Sequence, residues 1–154
     1  MAKVHHAAIG TRDVEASLTF WRDGLGLRVL MDHAFDGPWP ELFNSQGSTL
    51  RSLFLGDPDD PDAGIVELVE LEGMAPASAS GASPVAGFFL LSLYADLDVV
   101  LPRLAGLGVG GEPVVAPVGP VRLAVVHDPN GVRVELMDSA AEQNMSSLTE
   151  RAER

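Results

Sequence analysis

Cysteine is absent from the 154 residues, so disulfides, thiolate zinc sites, iron–sulfur clusters and cysteine nucleophiles are excluded together. Positive charge is scarce: ten Lys and Arg face 22 Asp and Glu, a formal net charge of −12. Such a field repels phosphate backbones and anionic headgroups, which makes nucleic acid and membrane surfaces poor partners. No apolar run approaches the ~20 residues of a membrane helix. Met1 to His6 holds no apolar core of signal-peptide length, so the expected compartment is the cytoplasm. What remains, 46% hydrophobic and 21% charged residues, is the composition of a folded chain and not of a disordered one. Its length suits one ordinary domain or two very small ones.

The chain repeats itself. Val4-His5-His6-Ala7-Ala8-Ile9-Gly10 is followed by Asp13, an apolar stripe and Gly24-Leu25-Gly26. Gly87-Phe88-Phe89-Leu90-Leu91-Ser92-Leu93 is followed by Asp96, a second stripe and Gly106-Leu107-Gly108. Val14, Leu18 and Trp21 correspond to Leu97, Leu101 and Leu104, a spacing that sets three apolar groups on one face of a short helix. Asp13 and Asp96 sit where an N-cap belongs, and the glycines where a helix ends. Pro102 fits badly unless its helix starts late, because proline removes a backbone bond.

After each helix the period becomes that of strands. Leu27 to His33, Ser48 to Leu55 and Gly64 to Leu71 are predicted strands of the first half; Glu112 to Pro117, Val121 to His127 and Gly131 to Met137 are those of the second. Asp128-Pro129-Asn130-Gly131 is a turn signal. Residues 1–73 are thus predicted as one βαβββ module, 74–86 as a small-residue linker, 87–138 as a second module and 139–154 as a tail. Neither module would bury much core alone.

Three side chains carry candidate chemistry. Val4, His6 and Ala8 share one face of the first strand and His5, Ala7 and Ile9 the other. Neither face is polar, so the strand is expected to be covered on both sides, with a partly buried histidine. By itself His6 is more often a hydrogen-bonded core residue than a ligand. Glu67 is embedded in Ile65-Val66-Glu67-Leu68-Val69, where a carboxylate needs a cation or hydrogen bonds. Val132-Arg133-Val134-Glu135-Leu136 repeats the pattern, although Glu135 could pair with Arg133 on its own face. His33 and His127 are surface or turn histidines on this reading. Gly56 to Asp62 is acidic without the ordered spacing of a calcium loop. Gly106 to Gly111 follows a helix instead of opening one, so it is no dinucleotide fingerprint. Trp39, between Pro38 and Pro40, either lines a pocket or closes a loop.

With these stretches in order, the chain resembles the vicinal oxygen chelate superfamily of glyoxalases, epimerases, extradiol dioxygenases and bleomycin-resistance proteins. The likeness covers nearly residues 3 to 138 and lies in the order and duplication of the motifs, not in any one of them. It implies an α+β fold in which two βαβββ modules, related by a pseudo-two-fold, form a curved sheet cup, assembled as a homodimer. It also implies a divalent metal (Zn, Ni, Co, Mn or Fe) held by residues from the first and last strands of each module. Carried over by position, the ligands are His6, Glu67 and Glu135, with Glu67 or Glu135 as proton-moving carboxylate. The fourth ligand, seven residues before Asp96 as His6 is before Asp13, falls on Phe89, which cannot ligate.

Two functions follow from the resemblance. One is a metal-dependent lyase, isomerase or epimerase acting on a small carbonyl compound through an enolate. The other is a metal-free protein that binds a small molecule or drug in an apolar cleft. A ferredoxin-like dimeric barrel is the competing fold.

Overall fold

In the computed structural model, which describes residues 1–77 and 86–139, the chain divides into two units, Met1–Ala79 and Ser80–Arg154. The predicted linker lies largely, and the predicted tail almost wholly, outside the described residues. The first unit runs β1 (His6–Gly10), α1 (Val14–Leu18), a π-type turn (Thr19–Gly24), β2 (Arg28–Asp36), α2 (Trp39–Phe43), β3 (Thr49–Gly56) and β4 (Ile65–Leu71). The second runs β5 (Leu91–Ala95), α3 (Leu97–Leu107), β6 (Gly110–Val118), β7 (Val121–His127) and β8 (Arg133–Asp138).

Each unit is one four-stranded mixed sheet with the same topology. The orders are β1-β4-β3-β2 and β5-β8-β7-β6. In each, the first strand pairs parallel to the last and the other pairs are antiparallel. The helix after the first strand supplies the crossover that a parallel pair requires. This is the predicted α+β, βαβββ arrangement, and the ferredoxin-like alternative falls.

The local chemistry is that of the repeat. Asp13 accepts from the Ala16 N–H at 3.0 Å and caps α1; Asp96 accepts from the Asp98 N–H at 3.1 Å and caps α3. Asp13→Ala should therefore destabilise the chain by ~1 kcal/mol in urea titrations. Gly108 ends α3 at φ 68°, where any side chain would be strained. Asp128 takes the Asn130 and Val132 N–H groups at 2.8 Å each, which builds the predicted turn.

Three expectations need correction. Leu101 is not in the buried stripe of α3; Leu97, Val100 and Leu104 are, so the spacing there is i, i+3, i+7. Pro102 lies inside α3, which starts directly after Asp96. The strand β1 is covered on one face only: Ile9 is buried, while His6 and Ala8 face a cavity.

Alternation sorts the first sheet into two surfaces. Ile9, Leu53, Leu55, Val66 and Leu68 are buried on the side that carries Val14, Leu18, Phe20 and Trp21. Phe20 and Trp21 meet edge to face with ring centroids 5.0 Å apart. The opposite surface carries His6 and Ala8 of β1, Leu50, Ser52 and Phe54 of β3, and Glu67, Val69 and Leu71 of β4.

Candidate functional site

That second surface is the floor of a cavity of about 750 Å³ within the first unit. The pairing of β2 with β3 fixes its outer wall, Met31 opposite Phe54 and Phe35 opposite Leu50. A bulge between Val29 and Met31 sets the phase of β2 so that Met31 and Phe35 both turn inward. The segment between β2 and β3 closes over it as α2. This helix was not predicted from sequence, because Pro38 and Pro40 read as loop punctuation. Both prolines precede or open the helix, where a missing N–H does no harm. Trp39 Nε1–H donates to the Phe35 carbonyl at 2.9 Å, and the Trp39 and Phe43 rings lie parallel within 2°, centroids 5.7 Å apart. Of the two sequence readings of Trp39, the pocket-lining one is correct.

Polar groups meet at one place on this floor. His6 Nε2 stands 2.9 Å from Glu67 Oε2, and the Ser52 hydroxyl donates to Glu67 Oε1 at 2.5 Å. The Glu67 side chain is 12% exposed and that of His6 33%, so the carboxylate is largely covered and the imidazole is its link to the open side. Glu67 thus finds the partners that its apolar setting demands. With the proton on Nε2, His6 donates to Glu67, and its Nδ1 faces Nδ1 of His5 at 2.8 Å. Ser52 was missed from sequence. Its signal is period: Leu50, Ser52 and Phe54 share a face, and serine is the odd member of an apolar row.

The cations of the first sheet are engaged elsewhere. Arg51 grips Asp32 through two bonds of 2.9 Å, which holds the Asp32 carboxyl below its ordinary range. Arg28 bridges Asp57 and Asp59 in the acidic loop, a role that needs no calcium. No Lys or Arg is among the side chains lining the cavity.

The second unit places Glu135 on β8, where it accepts from the Ser92 hydroxyl at 2.8 Å. Arg133 does not take it; its guanidinium lies over the Phe89 ring, 4.8 Å from the centroid. The ladders also correct the position of the missing ligand. Ala8 pairs with Glu67 and His6 lies two residues before Ala8; Ser92 pairs with Glu135, so the ladder equivalent of His6 is Leu90 and not Phe89. The spacing from strand to aspartate differs by one residue between the halves. Leucine ligates no better than phenylalanine. His33 and His127 are exposed, as expected.

Of the three metal ligands implied by the resemblance, the structure brings His6 and Glu67 together in one unit and sets Glu135 in the other. A catalytic zinc takes three protein ligands and a water. Within neither unit do three His, Asp or Glu side chains among the described residues gather into such a group. His6 and Glu67 are two donors, and both Glu67 oxygens already have protein partners. The residues of the first unit alone do not fit the ion.

Comparison with known proteins agrees with the topology. The model of the Glyoxalase/Bleomycin resistance protein/Dioxygenase superfamily matches residues 3–136. A lactoylglutathione lyase-like protein, terB, of Aspergillus terreus is 34% identical over 145 residues, covering 87% of this chain and 74% of the relative. Among solved structures, a domain of that superfamily from Frankia sp. EAN1pec has a TM-score of 0.64 at 19% identity, covering 90% of this chain and 98% of the other. The trypanothione-dependent glyoxalase I of Leishmania major has a TM-score of 0.64 at 18% identity, with both chains covered fully. Among the described residues no helix is long and apolar enough to cross a membrane.

Proposed function

Because the chain belongs to the glyoxalase/bleomycin resistance protein/dioxygenase superfamily, we propose that it is a lyase or isomerase that moves a proton next to a carbonyl group, with Glu67 as the base. The observation that carries this reading is the His6–Glu67–Ser52 group at the floor of an apolar cavity. A carboxylate clamped on both oxygens is held in one orientation, and a positioned base near its carbon acid is what general-base catalysis needs. Glu67 takes the proton from the carbon next to the carbonyl. The C–H electron pair becomes the enolate, and the same carboxyl returns the proton to the same or the neighbouring carbon.

The enolate oxygen needs a donor. Of the side chains lining the cavity, His6, Ser52 and Trp39 carry a polar hydrogen, and that of Trp39 is given to Phe35. His6 and Ser52 are therefore the groups that meet the developing charge as Glu67 loses its own.

The test is proton exchange. 2-Hydroxyacetophenone offers adjacent oxygens and an acidic C–H pair. In D₂O with the protein, the NMR integral of its methylene signal should fall at well above the buffer rate and slow at about half, as the one proton that faces the base is exchanged. Wash-out at the buffer rate would sink the proposal. A second reading, binding without turnover, is favoured by the apolar wall around the same cavity; it requires saturable line broadening and no exchange.

A further inference from the structure

We propose that the cavity of the first unit takes an uncharged ligand built around a flat aromatic ring system. Its placement rests on the carbonyl reading above, with one oxygen of the ligand toward His6 and Glu67; its chemical class rests on the wall alone.

The wall excludes anions. No Lys or Arg lines the cavity, its one charged group is the Glu67 carboxylate, and the chain carries −12 overall. A ligand carboxylate or phosphate entering it would be desolvated with no Lys or Arg to pair it, and would face the like charge of Glu67, which already takes the His6 and Ser52 donors. A ligand with several acidic groups is therefore rejected by construction.

The wall also selects shape. Trp39 and Phe43 line the cavity as a stacked pair, parallel within 2°, and the Trp39 hydrogen bond to Phe35 fixes the orientation of the indole. Phe54, Met31 and Met74 also line the cavity, rings and thioethers that suit an aromatic face. Nothing in the fold requires this platform. The second unit, with the same topology, joins β6 to β7 directly through a turn at Gly119, whereas the first inserts α2 there and leaves Phe43 58% exposed. The volume of about 750 Å³ is that of a site for a drug-sized molecule.

The experiment is equilibrium dialysis of the full chain with three probes of similar size: 2-acetylnaphthalene, 6-acetyl-2-naphthoate and 2-dodecanone. The neutral naphthyl ketone should bind saturably, and the carboxylate and the aliphatic ketone about tenfold more weakly or worse. Trp39→Ala should weaken the naphthyl ketone by about tenfold, and Trp39→Phe by much less. Because α2 lies outside the core, circular dichroism should show both variants folded. Comparable binding of all three probes, no saturable binding of 2-acetylnaphthalene, or an unchanged Trp39→Ala overturns the proposal. So does an apparent Kd that climbs with protein concentration while sedimentation shows association, which would mean that a second copy covers this face. The two proposals fail separately. Binding without exchange of 2-hydroxyacetophenone removes the catalytic reading and leaves the ligand class; exchange without naphthyl binding does the reverse.

Discussion

Glu67→Gln should slow the protein-dependent wash-out of the 2-hydroxyacetophenone proton by about 10²–10⁴-fold, the contribution of a positioned general base. Glutamine keeps the shape of the side chain and can still accept from Ser52, so the cavity and the sheet should survive. What it lacks is a site for the proton. The loss should fall on the rate and not on affinity for 2-acetylnaphthalene, because the rings that hold the ligand are untouched. Ser52→Ala is the informative companion. It frees Glu67 Oε1 and removes one of the two donors for the enolate oxygen without removing the base, so its loss should be the ~10²–10³-fold that one such donor supplies and should not exceed that of Glu67→Gln. A Glu67→Gln protein that exchanges the proton within a few-fold of the parent rate would exclude Glu67 as base. Glu135, held by Ser92 at 2.8 Å on the second sheet, would then be the carboxylate to replace.

The helices, strands and turns were legible because the same physics is written twice. Asp13 and Asp96 open helices, and Val14, Leu18 and Trp21 share a face with a period only a helix can bury. Glu67 and His6 stood out for a different reason: a carboxylate inside Ile65-Val66-Glu67-Leu68 must be paired, and the β1–β4 ladder supplies the pairing two residues off register, His6 opposite Ile65. Register and the segment around Trp39 are among the parts that were not legible. The second half has one residue fewer between its first strand and its aspartate, so the residue equivalent to His6 is Leu90 and not Phe89; only a ladder fixes register to that accuracy. The segment around Trp39 was opaque because its helix is five residues long and carries no amphipathic period, its form set instead by Pro38, Pro40 and the Trp39 bond to Phe35.

Trp21→Ala should lower the stability of the first unit by ~3–5 kcal/mol, the range for removing a fully buried large aromatic. Trp21 is 0% exposed and meets Phe20 edge to face at 5.0 Å, on the side of the sheet that buries Leu53, Leu55 and Leu68. The repeat tells which substitution is gentler. Eighty-three residues later the corresponding residue is Leu104, 1% exposed, so this topology accepts leucine at the position when its neighbours suit. Trp21→Leu should therefore lose less than Trp21→Ala, since it leaves a smaller cavity for Phe20 and the sheet to collapse into. Because the chain is two units, one unfolding curve can blend two transitions. Native-state hydrogen exchange avoids this by reporting each strand's own amides. Protection of the β3 and β4 amides, Leu53 and Leu68 among them, should fall by the full amount in Trp21→Ala. A loss below ~1 kcal/mol, the scale of an ordinary surface change, would show that Trp21 does not anchor this core.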